Sequence, residues 1–235
     1  MKKISKLIKI FSRFFYLNIF IRTRVTPATE HEPILKKINY NFLIDAGYNK
    51  GQFSILSKGL NKNIPILAFE PLRSESSRNV YLLNQFSDIE LISTALGNEN
   101  CDTYINIYSR RDSSSIFQSK NLTNLFKITF LKKQKIEIKK LDDFIHKFNF
   151  FDNILLKVDV QGYERHLLEG GKKSLTFIRW ILIELSYSEL YEGQPLADEI
   201  VEYLETNQFK IRYIYNKIEK NNNLVQADYL FEKEQ

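Results

Sequence analysis

Asn41-Phe-Leu-Ile-Asp45-Ala-Gly47-Tyr-Asn-Lys-Gly51 is the stretch that decides the fold. Phe42, Leu43 and Ile44 form an apolar run of strand length, and Asp45 with Gly47 and Gly51 places a carboxylate before glycines that let the backbone turn sharply beside a ligand. Phe53, Leu56 and Leu60 then recur at spacings of three and four. The turn is therefore expected between a strand and a helix, with free backbone N–H groups facing outward. A second apolar run, Ile66 to Phe69, leads into Glu70 and Pro71. Glu70 lies 19 residues after Gly51, near the separation at which a doubly wound sheet offers a carboxylate to the two hydroxyls of a ribose. These features place a nucleoside-containing ligand on the carboxyl edge of a parallel sheet. The full G-x-G-x-x-G fingerprint is missing, which weakens a nicotinamide or flavin dinucleotide reading. S-adenosylmethionine has no pyrophosphate and needs fewer glycines. The plain alternative makes Asp45 a helix N-cap and the glycines an ordinary turn.

Outward from this stretch the pattern repeats. Polar residues 73–86 carry Val80, Leu82 and Leu83 late and read as a surface helix; Ile89 and Leu91 alternate as a third strand, which Thr94-Ala95-Leu-Gly97 ends in a small-residue turn with room for a flat ring. Tyr104 to Tyr108, Ser113 to Phe117 and Ile136 to Ile138 read as short strands or loops outside the main alternation, in a lysine-rich insertion with a solvated face. Leu141 to Ile145 starts a helix with acids at its N-terminus. Ile154-Leu-Leu-Lys-Val-Asp159-Val-Gln-Gly162-Tyr-Glu164 again runs from apolar residues into a carboxylate and a glycine, then a helix closed by Gly170 and Gly171. Trp180 to Glu184 is a fifth buried strand, Pro195 to Asn207 a helix, and Phe209 to Tyr215 and Gln226 to Phe231 two closing strands. Five βα units and a terminal hairpin describe an α/β sheet, mainly parallel with an antiparallel end. Asp45, Glu70, Asp159 and Glu184 each end an apolar strand, so all four are expected on the edge where such folds bind ligands.

The chain of 235 residues, 43% hydrophobic, suits one core rather than two domains. A single cysteine, Cys101, gives no disulfide framework, and a reducing cytoplasm is the simplest setting. His31, His146 and His166 form no ligand pattern, so zinc is not expected. The net charge of +6 sits on residues 1–25, which carry Lys2, Lys3, Lys6, Lys9, Arg13, Arg22 and Arg24 and no acid. The near-neutral body argues against nucleic acid as a partner. Ile4, Leu7, Ile8, Phe11, Phe14 and Phe15 fall at helical spacing, making residues 1–33 a basic amphipathic helix and linker ahead of a catalytic domain at 34–235. This helix either lies on an anionic membrane surface, making the protein peripheral to its inner face, or packs on the body. It is too short and interrupted to span a bilayer.

At this point the sequence resembles the FkbM family of S-adenosylmethionine-dependent methyltransferases over roughly residues 40–215. The matching blocks come in the family's order: I-D-A-G-Y-N-K-G-Q-F-S at Ile44 to Ser54, A-F-E-P at Ala68 to Pro71, A-L-G at Ala95 to Gly97, L-D-D-F at Leu141 to Phe144, L-L-K-V-D-V-Q-G-Y-E at Leu155 to Glu164, and I-E-L-S-Y-S-E-L-Y at Ile183 to Tyr191. Tyr48 departs from the family, which usually has a small residue there; its ring would narrow the cofactor pocket or stack on part of it. The resemblance implies a seven-stranded Rossmann-like class I methyltransferase fold that binds S-adenosylmethionine. Asp45, Gly47, Asn49 and Gly51 would hold the methionine end, Glu70 and Pro71 the ribose side, and Thr94 or Ala95 the adenine. It also implies O-methylation of a hydroxyl on a sugar, polysaccharide or related metabolite.

Methyl transfer from a sulfonium is an in-line displacement from an activated donor, so the protein positions the acceptor and removes its proton. Asp159 is the candidate base, with Glu164 and Glu184 second. A magnesium ion shared by Asp159 and Glu184 is an alternative but not expected, because no compact ligand motif is present. An NAD-linked oxidoreductase on a similar sheet, and a binding protein that keeps the fold without chemistry, are the competing readings. The fold leaves the acceptor open.

Overall fold

The computed structural model describes residues 13–72 and 80–234. The expected helix face at Ile4, Leu7, Ile8 and Phe11, and the first half of the helix expected at 73–86, lie outside the described residues. Seven strands form the main sheet: β1 (Phe42–Ala46), β2 (Ile66–Phe69), β3 (Ile89–Ile92), β7 (Ile154–Val158), β8 (Ile178–Ser186), β9 (Phe209–Lys220) and β10 (Asn223–Lys233). Their order is β3-β2-β1-β7-β8-β10-β9. The first five are parallel, and β10 runs antiparallel to both β8 and β9. The mainly parallel sheet with an antiparallel end is thus present, and the closing hairpin is longer than its apolar core because Asn221 and Asn222 turn it in the left-handed region that asparagine tolerates.

Every residue of β1, β2 and β7 is buried, as a parallel sheet covered on both faces requires. Alternation along the strands sends Ile44, Leu156, Ile181 and Ile183 to one face, under α6 (Glu164–Gly170) and α7 (Ala197–Thr206). Leu43, Leu155, Leu182 and Leu230 go to the other, under α1 (Phe14–Thr23), α3 (Gln52–Leu60) and α4 (Val80–Gln85); the short α2 (Glu32–Leu35) precedes β1. Tyr16 and Ile19 of α1 are buried in that second core. The Tyr16 ring lies on Gly59, where an added Cβ would come within 2.3 Å of it. The described part of the N-terminal helix therefore packs on the body, with Phe14 and Ile21 left exposed.

The insertion is more regular than expected. Ala95 and Leu96, read as the end of the third strand, form β4 of a second, three-stranded sheet with β5 (Cys101–Tyr108) and β6 (Phe130–Lys139), in the order β4-β6-β5. A 3-10 turn, Arg111–Ser113, and α5 (Leu122–Phe126) fill the β5–β6 connection. Leu141 to Lys147 is 3-10 rather than α-helical. Asp142 there accepts hydrogen bonds from the Ser174 N–H and hydroxyl, both at 2.7 Å.

Candidate active site

The β1–α3 turn is built from three left-handed residues, Gly47, Asn49 and Gly51. A Cβ at Gly47 would lie 1.9 Å from the Asp159 carbonyl oxygen, so only glycine lets this turn and the end of β7 approach each other. Gly51 is needed for a different reason. Tyr48 is 1% exposed and turned into the core, and a Cβ at Gly51 would stand 2.6 Å from its hydroxyl. The expectation that Tyr48 narrows or stacks in the pocket is corrected: the ring fills the space that Gly51 leaves and lines no part of the cleft.

The turn is tied to the end of β2. The Gly47 and Tyr48 N–H groups donate to the Phe69 carbonyl, and Asn49 N–H donates to Glu70 Oε2 at 2.8 Å. Glu70 Oε1 accepts from the Leu72 N–H at 2.9 Å. Above this edge opens a cleft of about 710 Å³, solvent-open space included. It brings together Gly47, Asn49, Glu70, Pro71, Thr94, Ala95 and Asp159 from the residues the sequence singled out. Its far wall comes from the insertion, with Ile105, Arg111, Asp112, Ser114, Ser115 and Ile116, and from Gln161 and Tyr163. The wall is fixed: Asn106 Nδ2 holds the Ile116 and Phe117 carbonyls at 3.0 Å, and Ser115 Oγ donates to the Gln161 carbonyl at 2.6 Å.

Asp159 stands at the mouth of the cleft with its side chain 42% exposed. Its Oδ1 accepts from Gln161 Nε2 at 2.6 Å. The Tyr191 hydroxyl, 2.8 Å from Gln161 Oε1 and 2.9 Å from the Ser113 carbonyl, shares its proton between them and locks the amide. Asp159 is not the cap of the following helix; Glu164 accepts the Gly162 N–H at 3.0 Å instead.

The remaining site residues lie beside or beneath the cleft. Asp45 is fully buried, accepting from Ser54 Oγ at 2.7 Å and standing 3.4 Å from Lys157 Nζ. Glu164 is 5% exposed, and burial, reinforced by the charge of Asp159, pushes its carboxyl up to about 7 against the lowering by backbone N–H groups. Glu184 follows Ile183, the partner of Val158, and so reaches the same level of the sheet edge as Asp159. Its Oε2 accepts from Gln226 Nε2 at 2.7 Å. Burial, then the charges of Asp159, Asp228 and Glu164, push Glu184 well above the usual carboxylate range. Asp228, paired with Glu184 across β10 and β8, is raised to about 7 mainly by burial, although Asn216 donates to it at 2.8 Å. Among the described residues no group of three or more His, Cys, Asp or Glu is placed to hold a metal ion.

Sequence reasoning missed the insertion wall, Gln161 and Lys157. The polar run Arg110 to Ser115 between two apolar stretches was the available signal for the first, and the L-K-V-D-V-Q-G-Y-E block already contained the other two.

The composition of the cleft lining tests whether a nucleoside fits. Asn49 and Ser114, which line the cleft, each carry a buried polar atom, Oδ1 and Oγ, with no hydrogen-bond partner among the described residues. The lining combines carboxylates, Glu70 and Asp159 among them, with the small Thr94 and Ala95 and the apolar Leu72 and Ile105.

Residues 45–211 match the family model described as "Methyltransferase FkbM domain". The chain is 30% identical over 186 residues to Methyltransferase 1 of Beauveria bassiana, covering 73% of each protein. It is 29% identical over 172 residues to 2-O-methyltransferase NoeI of Sinorhizobium fredii, covering 69% of this chain and 70% of that one. Among solved structures it is similar to Methyltransferase FkbM from Methylobacillus flagellatus, with a TM-score of 0.51 at 14% identity over 81% of this chain and 43% of that one. An rRNA methylase from Streptococcus thermophilus gives 0.50 at 14% over 88% and 96%. At these identities the structures speak to the fold alone.

Proposed function

The chain belongs to the FkbM methyltransferase family, and from this premise we propose that it is an S-adenosylmethionine-dependent O-methyltransferase acting on a hydroxyl of a sugar, polysaccharide or related metabolite. The observation that carries the reading is one cleft lined by both Glu70, after β2, and Asp159, after β7, beside the glycine turn that follows β1. Bound S-adenosylmethionine supplies an activated methyl group. Glu70 accepts hydrogen bonds from the ribose hydroxyls, and Thr94 and Ala95 leave space for the adenine. Asp159, oriented by Gln161, accepts the proton of the acceptor hydroxyl as the oxygen becomes nucleophilic. Asp45 supports this floor from below through Ser54 rather than touching the ligand. The relative named as a 2-O-methyltransferase supports oxygen as the acceptor atom.

Calorimetry with S-adenosylmethionine, S-adenosylhomocysteine and NAD tests the cofactor. Binding of the first two without NAD is expected; tight NAD binding with no response to the others would overturn the reading. Mass spectrometry of cell-envelope glycans with and without the protein then tests the acceptor, through a mass difference of about fourteen daltons, one methyl replacing one hydrogen in a group transfer.

A further inference from the structure

One charged side chain at the centre of this site has no part in the chemistry above. Lys157 lies inside β7, flanked by Leu156 and Val158, and is 8% exposed. Alternation puts it on the same sheet face as Leu155, and its register partner on β1 is Asp45. A buried ammonium is tolerated only when paired and hydrogen-bonded, and Lys157 is both. Nζ donates to the Gly47 carbonyl at 2.8 Å, approaches the Ala46 carbonyl at 3.4 Å, and stands 3.4 Å from Asp45 Oδ1 and 3.6 Å from Asp159 Oδ2.

This geometry exceeds what neutralising Asp45 requires. The ammonium's strongest hydrogen bond goes to the glycine whose missing Cβ lets the cofactor turn meet the end of β7, and its second anion is the cleft carboxylate itself. We propose that Lys157 is a positioning residue: its single ammonium joins the Gly47 turn to the Asp159 carboxylate, fixing cofactor turn and base relative to each other and supplying a buried cation among the acids of the sheet edge. The proposal rests on the cofactor reading given above.

The charges around it come from five of the seven strands: Asp45 from β1, Glu70 after β2, Asp159 after β7, Glu184 from β8 and Asp228 from β10, with His31 standing 3.6 Å from Asp228. Burial alone would lower the ammonium, but Asp159 and Asp45 outweigh it and hold Lys157 above the ordinary lysine value, so it stays charged wherever the protein is folded near neutrality. It opposes the upward push on both Glu184 and Asp228.

Lys157→Met alone would strand the buried Asp45 charge and risks unfolding, so the test compares Asp45→Asn with Asp45→Asn/Lys157→Met, which differ only in the cation. Thermal melting establishes that both fold. Calorimetry with S-adenosylhomocysteine is expected to show about tenfold weaker binding by the double variant than by Asp45→Asn, the loss of about one hydrogen bond to a charged group. Carbon-13 carboxyl NMR, with the Glu184 and Asp228 resonances assigned by Glu184→Gln and Asp228→Asn, is expected to show both titrating at higher pH once the cation is gone. The titrations report the field of the cation at the sheet edge, and the affinity difference reports its hold on the Gly47 turn, which a lysine that only neutralises Asp45 would not change. Equal affinity in a folded double variant would overturn the proposal, whatever the titrations show. So would a double variant that fails to fold where Asp45→Asn folds, because that assigns Lys157 to the fold. Failure of the native protein to bind S-adenosylhomocysteine would sink the cofactor reading instead, and is separately visible.

Discussion

Replacing Glu70 tests the cofactor reading most directly, because this carboxylate has one task in the structure and a second, separable one in the proposed reading. It holds the Asn49 N–H at 2.8 Å and the Leu72 N–H at 2.9 Å, tying the glycine turn to the segment after β2. On the proposed reading it also takes the two ribose hydroxyls. A hydrogen bond to a charged group contributes about 1.5–3 kcal/mol. Glu70→Ala removes both backbone ties, some of which water restores, so a stability loss of about 2–4 kcal/mol is expected, or roughly 5–15 °C in Tm for a chain of this size. Loss of both ribose contacts adds at least about 3 kcal/mol to binding, a hundredfold or more in Kd for S-adenosylhomocysteine. Glu70→Gln keeps the shape and one acceptor oxygen but turns an NH2 group toward the other backbone donor. It is expected to fall between, at about tenfold in Kd and 1–2 kcal/mol in stability. Titration calorimetry and thermal melting on the three proteins give both quantities. An alanine variant that melts early yet binds S-adenosylhomocysteine as tightly as the native protein would refute the reasoning, since Glu70 would then be only a loop tie.

Glu164 makes stability fall with rising pH. Its folded carboxyl ionises near pH 7 rather than at the ordinary 4.5, so the folded state holds the proton longer than the unfolded chain; the stabilisation is full below about 4.5 and lost as the pH passes 7. That window is worth on the order of 3 kcal/mol, and Glu164→Gln, whose amide oxygen still accepts the Gly162 N–H, should flatten this part of a denaturation-against-pH profile; an unchanged slope would contradict it. Tyr16→Ala should cost about 3–5 kcal/mol in denaturant unfolding, because the ring is wholly buried on Gly59; a loss under about 1 kcal/mol would show that α1 is dispensable to the body. Gly47→Ala adds a left-handed alanine, about 1–2 kcal/mol, to a collision with the Asp159 carbonyl, and should abolish S-adenosylhomocysteine binding while lowering Tm; a variant that binds normally would mean the turn can move.

What was legible in the sequence follows from what each feature needs. The apolar runs of β1, β2, β7 and β8 announce themselves because both of their faces are covered, and the acids after them fall on one edge because parallel strands share a direction. A local pattern suffices there. The insertion is different: β5 and β6 are half exposed, β6 carries Lys132, Lys133, Lys135 and Lys139, and their pairing joins residues such as Cys101 and Ile138 that are far apart in the chain. A charged, half-solvated strand looks like a loop until its partner is known, so the wall formed by Ser114 and Ser115 could not be set against Asn49 and Glu70. Tyr48 and Gly51 fail in another way. Read one at a time, a tyrosine beside a glycine turn threatens the pocket; read together, the glycine is the space the tyrosine occupies, and the departure from the family pattern carries its own accommodation three residues later. Lys157 is the same lesson in charge rather than volume. A lysine inside an apolar strand interrupts the pattern when only the strand is considered, yet its register partner on the adjacent strand is the buried Asp45, which the ammonium keeps from facing the interior alone. The residues hardest to read were those whose reason lies on a neighbouring strand, and at the carboxyl edge of this sheet they are also the residues that hold the cofactor turn against the proposed base.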